Sequence, residues 1–511
     1  MAFEDIKKCN RISKMVEMEE HLKIDRNKVL EAVKLRMPIE VTSYTLSRNM
    51  ELYFRNLVEM FLAACHQEHL QEYINYCLGE LLANSKKANT KRVYFKEKNL
   101  DINNPQDYVI GMENFREETC SNLDHYLELQ KKAGLYIKLS LQLTNHNVVI
   151  EIKNNSVLNV FEKERIQQKL ESVQQYKNID EVVSNVIDQS EGAGLGIIII
   201  NLMLRKIGLK EDSFKIFSTD TETITQIILP CDERIFAGVE IVSYEFVTMQ
   251  SKIPVFESNF EKASNIVQSD SIMQDEKKVN RQELLDFIRN DTTLSLLILK
   301  YALEKDSSCF SLPKAIELLT DQELKFIFSD SNPSVDKIQP TEKLEKCFNN
   351  AKRAAFYAYN LHKNFQNIQP ERDSEYFYLL GLLNNIGLIF LNTASDEQKE
   401  YVKELCNQYD NIGDENLEFF EIGNAGNFIS LVYAKSLKMP EYIYNVFSKW
   451  NYVEFFDKNR PDFEILYLAQ MLGFYEDKIA EYYQIDQTVL KDFQITSESQ
   501  LKYILKQLTA A

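Results

Sequence analysis

Three glycines fall within five positions of a chain that has only 14 glycines in 511 residues. They are Gly192, Gly194 and Gly196, and a largely apolar run, LGIIIINLML at residues 195–204, begins among them. Glycine costs backbone entropy, so a cluster in a glycine-poor chain requires a local reason. A loop whose bare N–H groups and helix dipole attract a phosphate supplies one reason. An ordinary loop entering a buried helix is the alternative.

The length and charge of the chain limit what it can be. A chain of 511 residues predicts two to four domains, at about 150 residues per domain. The net charge of −18 argues against nonspecific binding to nucleic acid or to an anionic membrane, but it leaves ATP open. The first residues contain no apolar segment, and we expect no apolar run near the ~20 residues of a membrane span. We therefore expect a cytoplasmic protein with neither nucleic-acid nor membrane partners.

Two helical stretches precede the strands of the first half. Residues 43–64 carry one apolar face, which indicates a packing helix or a helix of a homodimer. In residues 68–89, Glu80, Asn84 and Lys87 lie at i, i+4 and i+7 and share one helix face. These side chains are either a solvated surface or the parts of a Mg²⁺–triphosphate site. Asn84 then offers oxygen to Mg²⁺, Lys87 offers charge to phosphate, and Glu80 offers a base.

The motif Glu80-Leu-Leu-Ala-Asn84-Ser-Lys-Lys87 resembles the N-box of the GHKL superfamily, which includes histidine kinases, gyrase B, heat-shock chaperones and anti-sigma-factor kinases. The glycine stretch, with Leu195, resembles the GxGLG box that closes over phosphates in that family. Between the two boxes the resemblance implies a mobile lid, and a charged helical run occupies residues 161–175. Alternating apolar residues predict strands at 135–144 and 147–155. The resemblance also implies a strand at 91–95, directly after the N-box, and two strands at 213–218 and 223–229 end the domain.

The resemblance implies an ATP-binding α/β sandwich of the Bergerat type over residues 41–232. The charged pattern of residues 1–40 predicts a helical segment before it, which Pro38 breaks. Asn154 stands where the family has an Asp that accepts a hydrogen bond from adenine, and its carbonyl can accept the same bond without charge. Ser156 replaces a glycine of the same motif. The helical insert at residues 96–134 has no counterpart and no assigned role.

The second half reads as a linker or edge strand at residues 233–253, followed by an almost wholly helical region at 254–511. Three motifs there resemble the HDOD domain, a helical regulatory relative of HD phosphohydrolases: IRNDTTL at 288–294, the AI..L run from 315, and GLLNNIG at 381–387. Asn384 and Asn385 replace the metal-binding His–Asp pair, and His362 is the only histidine of this half. We therefore expect no phosphohydrolase activity and a partner-binding role.

The sequence thus predicts an α+β protein with a GHKL-type domain followed by an all-α HDOD-like domain, and it leaves three functions open. In the first, ATP and Mg²⁺ binding gates an inactive HDOD module that engages signalling proteins. In the second, Glu80 serves as the base of an active Ser/Thr protein kinase or ATPase. In the third, the chain is a nucleotide-free scaffold.

Overall fold

The computed structural model describes residues 23–144, 147–172, 195–231, 233–250, 252–269, 271–273, 276–365, 372–408, 425–453, 456 and 460–510. The chain divides into two compact units, Met1–Cys231 and Asp232–Ala511. The first unit mixes helices with a sheet and the second is mainly helical, so the α+β prediction is confirmed at this level.

The first unit consists of eight helices and five strands within the described residues, together with 3₁₀ turns at Glu68–Leu70 and Glu211–Ser213. In chain order they are α1 (Arg26–Lys34), β1 (Ile39–Ser43), α2 (Arg48–Ala64), α3 (Gln71–Glu97), α4 (Pro105–Glu113), α5 (Phe115–Ser121), α6 (Leu123–Lys132), β2 (Ile137–Thr144), β3 (Asn147–Asn154), α7 (Val160–Ser172), α8 (Leu195–Lys206), β4 (Phe214–Ser218) and β5 (Thr223–Pro230).

The five strands form one antiparallel sheet in the order β1-β2-β3-β5-β4. The central register pairs Leu141 with Ile150 and Ile150 with Ile227. All three residues are almost fully buried, because helices α2 and α3 pack against the sheet, and Ile150 and Ile227 alternate with partly exposed neighbours. The predicted strands in the second half of this domain are confirmed within one or two residues at their ends.

One predicted strand is wrong. Residues 91–95 belong to the single 27-residue helix α3, and Lys91, Tyr94 and Phe95 are buried on it. They pack with Val93 against the insert helices α4–α6, where an aromatic cluster contains Tyr108, Phe115 and Tyr126. The insert at residues 96–134 is helical, as predicted, and it covers the C-terminal half of α3.

Other boundaries of the first unit also differ from the prediction. The helical segment expected at residues 1–40 lies partly outside the described residues, and the described part contains helix α1 and the start of strand β1. The helix predicted at 43–64 begins only at Arg48, because Ser43 ends strand β1 and Ser47 caps the helix. The lid helix is described as far as Ser172. The rest of the lid, with Gly192 and Gly194, lies outside the described residues.

The second unit contains fifteen helices and four short strands within the described residues, and a 3₁₀ turn at Tyr482–Gln484. They are α9 (Glu233–Met249), β6 (Ile253–Phe256), α10 (Glu257–Gln268), β7 (Ser271–Met273), β8 (Glu276–Lys278), α11 (Arg281–Ile288), α12 (Thr292–Lys305), α13 (Leu312–Leu318), α14 (Asp321–Ile327), β9 (Val335–Ile338), α15 (Glu342–Asn364), α16 (Ser374–Asn384), α17 (Ile386–Thr393), α18 (Asp396–Gln408), α19 (Ala425–Ser436), α20 (Glu441–Lys449), α21 (Arg460–Glu476), α22 (Gln487–Asp492) and α23 (Glu498–Ala510).

Two expectations for this half are wrong. The segment at 233–253 is mostly helix α9 instead of a linker or an edge strand, and its buried Val242, Phe246 and Val247 lie on one helical face. The region after residue 253 is not wholly helical, because β6 pairs in parallel with β9 and β7 pairs with β8. These pairings join residues distant in the sequence or form short hairpins, and single strands of three or four residues carry little periodic signal.

The motif residues of the second unit hold helices together. Asp291 caps α12, where its Oδ1 accepts hydrogen bonds from the N–H groups of Thr293 and Leu294, both at 3.0 Å. A Cβ on Gly381 would meet the backbone of Ala354 at 2.8 Å, and a Cβ on Gly387 would overlap with the carbonyl oxygen of Gly426. Both glycines therefore permit close crossings, of α16 with α15 and of α17 with α19.

One stretch of the described chain, Ser374–Thr393, is long and apolar enough to cross a membrane by length and composition alone. The expectation that no apolar run would near this length is therefore wrong. The stretch covers α16 and α17, and 78% of its apolar window is buried inside the protein. The core helix of a soluble protein passes the same test, so the composition is explained by burial among other helices.

Candidate functional site

Helix α3 carries Glu80, Asn84 and Lys87, which we call the stripe, on its more exposed side. Its apolar face, with Ile74, Leu78 and Leu81, is almost fully buried toward the sheet. Asn84 and Lys87 are exposed and Glu80 is half-buried. The apolar residues of this helix lie on one face, so Glu80, Asn84 and Lys87 point away from the core. On this outer face they are accessible to a ligand.

Helix α8 brings the end of the glycine box to this stripe. Leu195 is the first residue of α8, and a Cβ placed on Gly196 would overlap with Oε2 of Glu80. Only a residue without a side chain permits this close approach of α8 to α3 while Glu80 keeps its position. Two of the predicted site residues, Glu80 and Gly196, are thus in contact distance of each other.

Helix α7, which the GHKL resemblance predicted as part of a lid, is anchored to α3 by a buried carboxylate. Glu162 accepts hydrogen bonds from Nζ of Lys91 at 2.7 Å and from Nη2 of Arg92 at 2.5 Å. Asn159 and Glu162 also bond each other's backbone N–H groups, which fixes the start of the helix. Burial raises the pKa of Glu162, but the hydrogen bond from Arg92 and the charges of Lys91 and Arg92 outweigh it, and the net result is a pKa of about 2.

Farther along α7, Lys169 lies close to Lys87 of the stripe and to Arg165 of its own helix. Burial lowers the pKa of Lys169, and the positive charges of Arg165 and Lys87 lower it further. Lys169 therefore lies close enough to both Arg165 and Lys87 to be repelled by them, on a chain whose net charge is −18. Such a concentration of positive charge attracts a multiply charged anion, which would relieve the repulsion.

The sequence analysis missed Arg165 and Lys169, because a charged run such as that of α7 is typical of a solvated helix face. Arg165 and Lys169 are four residues apart and therefore on one helix face, and this spacing was the only indication in the sequence that they could act together. What the sequence did not indicate is that this face would be turned toward Lys87.

Asn154 takes part in a polar network between the sheet and α3. It lies at the end of β3 and is buried, and its Nδ2 donates to Oδ1 of Asn89 at 3.3 Å. Ser156 Oγ donates to the same oxygen at 2.7 Å, and Asn89 Nδ2 donates to the carbonyl oxygen of Tyr136 at 3.0 Å. The network turns Asn154 toward the helix that carries the stripe and links it to Ser156, the other residue that departs from the GHKL pattern.

A wide groove of about 1120 Å³ lies beside the same helix and is lined by α3, α2 and the insert helices. Lys86 and Lys87 contribute cations to its wall, and Arg116 faces them from α5. Glu51, Glu113 and Glu117 also line the groove, so its charge is mixed. Lys87 therefore stands at the junction of this groove and the cation cluster on α7.

The second unit places neutral amides where the HD pair was expected. Asn384 is buried at the end of α16, and neither Nδ2 nor Oδ1 has a hydrogen-bond partner within the described part of the chain. Asn385 Nδ2 donates to Oε1 of Gln470 at 3.4 Å. His362 bonds Ser374 Oγ at 2.9 Å and stacks on Phe377. This set of donors does not fit a transition metal, which prefers imidazole and carboxylate ligands.

No group of three or more His, Cys, Asp or Glu side chains that would suit a metal ion occurs among the residues that the structure describes. The Asn384 amide nevertheless lacks the hydrogen bonds that a buried polar side chain normally makes. A buried water is the simplest partner for such an amide.

Comparison with known proteins identifies a domain family for the second unit only. The HDOD domain family matches residues 263–450. An uncharacterized protein of Treponema pallidum (strain Nichols) is 28% identical over 504 residues, which cover 97% of this chain and 96% of that protein.

Solved structures with low sequence identity also align with about half of the chain. The MmoQ response regulator from Methylococcus capsulatus str. Bath is 16% identical, with 51% of this chain and 99% of that chain covered and a TM-score of 0.35. An HDOD domain protein from Geobacter sulfurreducens is 12% identical, with 54% and 94% covered and a TM-score of 0.26. Because the family model matches them, residues 263–450 are an HDOD domain. Asp291, Gly381 and Gly387 have their packing roles within this domain.

Proposed function

We propose that this protein is a signal-transduction protein whose first unit binds Mg-ATP and whose HDOD domain engages other proteins according to the nucleotide state. The observations that carry the proposal are the close approach of Gly196 to Glu80 and the proximity of Lys87, on the same helix as Glu80, to Lys169 of α7. The order of stripe, strands, lid and glycine box along the chain supports the same interpretation.

The residues present fit the chemistry of Mg-ATP. Lys87, Arg165 and Lys169 would neutralise phosphate oxygens, and the amide oxygen of Asn84 would be a ligand of Mg²⁺. The backbone of the glycine box, with Gly192, Gly194, Leu195 and Gly196, would wrap the phosphates, since small residues allow close approach. Asn154 would face the adenine, provided that its amide leaves Asn89.

The HDOD domain would read out the nucleotide state by binding a partner. A ligand shifts a conformational equilibrium only by the difference in its affinity for the two states. Helix α7 is the element that such a difference would act on, because its Lys169 lies close to Lys87 on α3 and both would contact the phosphates. We also propose that the partners of the HDOD domain are signalling proteins, that the protein is cytoplasmic and that it forms a homodimer.

The alternative is a protein kinase or ATPase that uses Glu80 as its base. The half-buried Glu80 carboxylate at the start of α8 favours it, since a base must lie beside the phosphates to act on water or a hydroxyl. Phosphate release from Mg-ATP by the wild type, abolished in Glu80→Gln, would establish this function. Binding of Mg-ATP without turnover would favour nucleotide gating. A lack of binding would favour the third function, a nucleotide-free scaffold.

The binding claim is tested by calorimetric titration of the full chain with Mg-ATP. We expect Asn84→Ala and Lys87→Ala to weaken binding at least about tenfold, which corresponds to about 1.4 kcal/mol. Lys96→Ala is the matched control, because Lys96 is an exposed lysine near the end of the same helix, and it should bind like the wild type. If the wild type and all three variants bound Mg-ATP equally well, Asn84 and Lys87 would not be part of the binding site.

Gly196→Ala tests the contact between the two elements. The new methyl group would displace the flexible end of Glu80, so we expect little loss of stability but weaker Mg-ATP binding. Unchanged affinity would mean that the approach of α8 to Glu80 has no role in binding.

A further inference from the structure

A second basic site lies within the HDOD-containing unit, away from Asn384 and Asn385. It is a cavity of about 540 Å³ between the end of α11, one face of α15 and helix α16. Arg289, Lys352, Arg353 and Lys363 line it, and no Asp or Glu is among the described residues of its wall. On an acidic chain, four cations and no carboxylate around one cavity indicate an anionic ligand.

Two of the four cations are held in place by carboxylates behind the wall. Arg353 donates to both carboxylate oxygens of Asp477, at 2.8 and 2.5 Å. Arg289 donates to Glu375 at 2.6 Å. Because these charges are already balanced, the two arginines shape the wall more than they attract a ligand.

The two lysines supply the uncompensated charge. Lys352 and Lys363 are exposed on α15, eleven residues apart and therefore on one face. Neither has a carboxylate within salt-bridge distance among the described residues. An anion bound between them would gain two charge-assisted contacts without breaking an existing ion pair.

Aromatic rings complete the cavity. Tyr359 and Tyr378 meet edge to face with their centroids 6.4 Å apart, and the Arg289 guanidinium lies 4.5 Å from the Tyr378 ring centre. Phe356, one turn from both Lys352 and Tyr359, adds a third ring. A fixed cluster of rings beside cations offers a stacking surface for a planar group.

We propose that this cavity binds a nucleotide, with the base against Tyr359 and Phe356 and the phosphate between Lys352 and Lys363. The volume lies within the range of about 300–1,000 Å³ that is usual for small-ligand sites. The side chains of Asn290 and Asn349 at the wall can donate to and accept from the edge of a base. This site is separate from the Mg-ATP site proposed for the first unit, and needs no metal ion.

The test is calorimetric titration of the full chain with adenosine and guanosine 5′-monophosphates, in EDTA to remove Mg²⁺. At least one nucleotide should bind the wild type, and Lys352→Glu and Lys363→Glu should each weaken it at least about tenfold. Lys343→Glu, an exposed lysine on the same helix but outside the cavity, should change binding less than twofold. Lys87→Ala should also bind normally, which separates this site from that of the first unit.

Two further variants separate stacking from charge. Tyr359→Phe should retain the affinity and Tyr359→Ala should reduce it, with circular dichroism confirming that both are folded. The proposal is overturned if neither nucleotide binds at millimolar concentration, if Lys343→Glu weakens binding as much as Lys352→Glu, or if ribose 5-phosphate binds as tightly as the nucleotides.

Discussion

Glu162 is the residue that ties the lid helix to α3 most directly. Its carboxylate is almost buried and lies between Lys91, also nearly buried, and Arg92. Taking these charges out of water is costly, and the ion pairs and hydrogen bonds offset that cost only when all partners are present. Removal of the carboxylate alone would leave a buried lysine charge without its partner.

We therefore predict that Glu162→Gln lowers the free energy of unfolding of the first unit by about 3 kcal/mol. Glu164→Gln, an exposed glutamate on the same helix, is the matched control and should change stability by less than about 0.5 kcal/mol. Urea denaturation measures both. Equal stability of the two variants would show that the buried ion pair does not hold α7.

The same residue predicts a dependence on pH. The pKa of Glu162 is about 2 in the folded protein, below the value of about 4.3 in an unfolded chain. Its stabilising contribution is therefore fully present above about pH 4.3 and is lost as the pH falls through 2. The difference in stability between wild type and Glu162→Gln should shrink over this window, and a difference that stays constant below pH 4 would contradict the assignment.

At the scale of elements, alternating apolar residues predicted β2 and β3 because each strand has one face on the core. The strand that the family resemblance implied at residues 91–95 was wrong, because a helix there has a broad buried surface. Residues 91–95 contain β-favouring Val93, Tyr94 and Phe95, yet the insert helices supply apolar partners on that side of α3. Propensity was overridden there by tertiary contacts that the local pattern does not contain.

Helix α9 shows a related ambiguity. Its sequence GVEIVSYEFV alternates, but Val242 and Phe246 are four residues apart and buried, while Ile241 and Tyr244 are exposed. Short runs of this kind fit both periods. The candidate site was predicted in the same partial way: local spacing gave Glu80, Asn84 and Lys87, whereas the approach of Gly196 and the orientation of Arg165 and Lys169 depend on packing.

The crossing of α17 with α19 gives an element-scale prediction. Gly387→Ala should lower the free energy of unfolding of the second unit by about 3 kcal/mol, because the new methyl group would overlap with the backbone of Gly426. In Gly473→Ala the nearest atom is Nε of the Arg353 side chain at 3.1 Å, which can move, so this control should be much milder. Thermal unfolding followed by circular dichroism compares them, and equal losses would contradict the account of the crossing.

At the scale of the whole molecule, positive charge is concentrated against an acidic background. The chain carries 77 acidic and 59 basic residues, yet cations gather around Lys169 in the first unit and around Lys352 in the second. An acidic protein repels nucleotides at long range, so any affinity must come from these local clusters. Added salt should therefore weaken nucleotide binding by screening the exposed cations.

The central claim is that the stripe on α3 and the glycine box hold one triphosphate. Hydrogen–deuterium exchange of the full chain with and without Mg-ATP tests it most directly, because it locates the ligand along the sequence. We predict slower exchange in peptides that cover residues 80–91, 160–172 and 195–206, and loss of this protection in Asn84→Ala. Saturating Mg-ATP that leaves exchange in all three segments unchanged would contradict the claim.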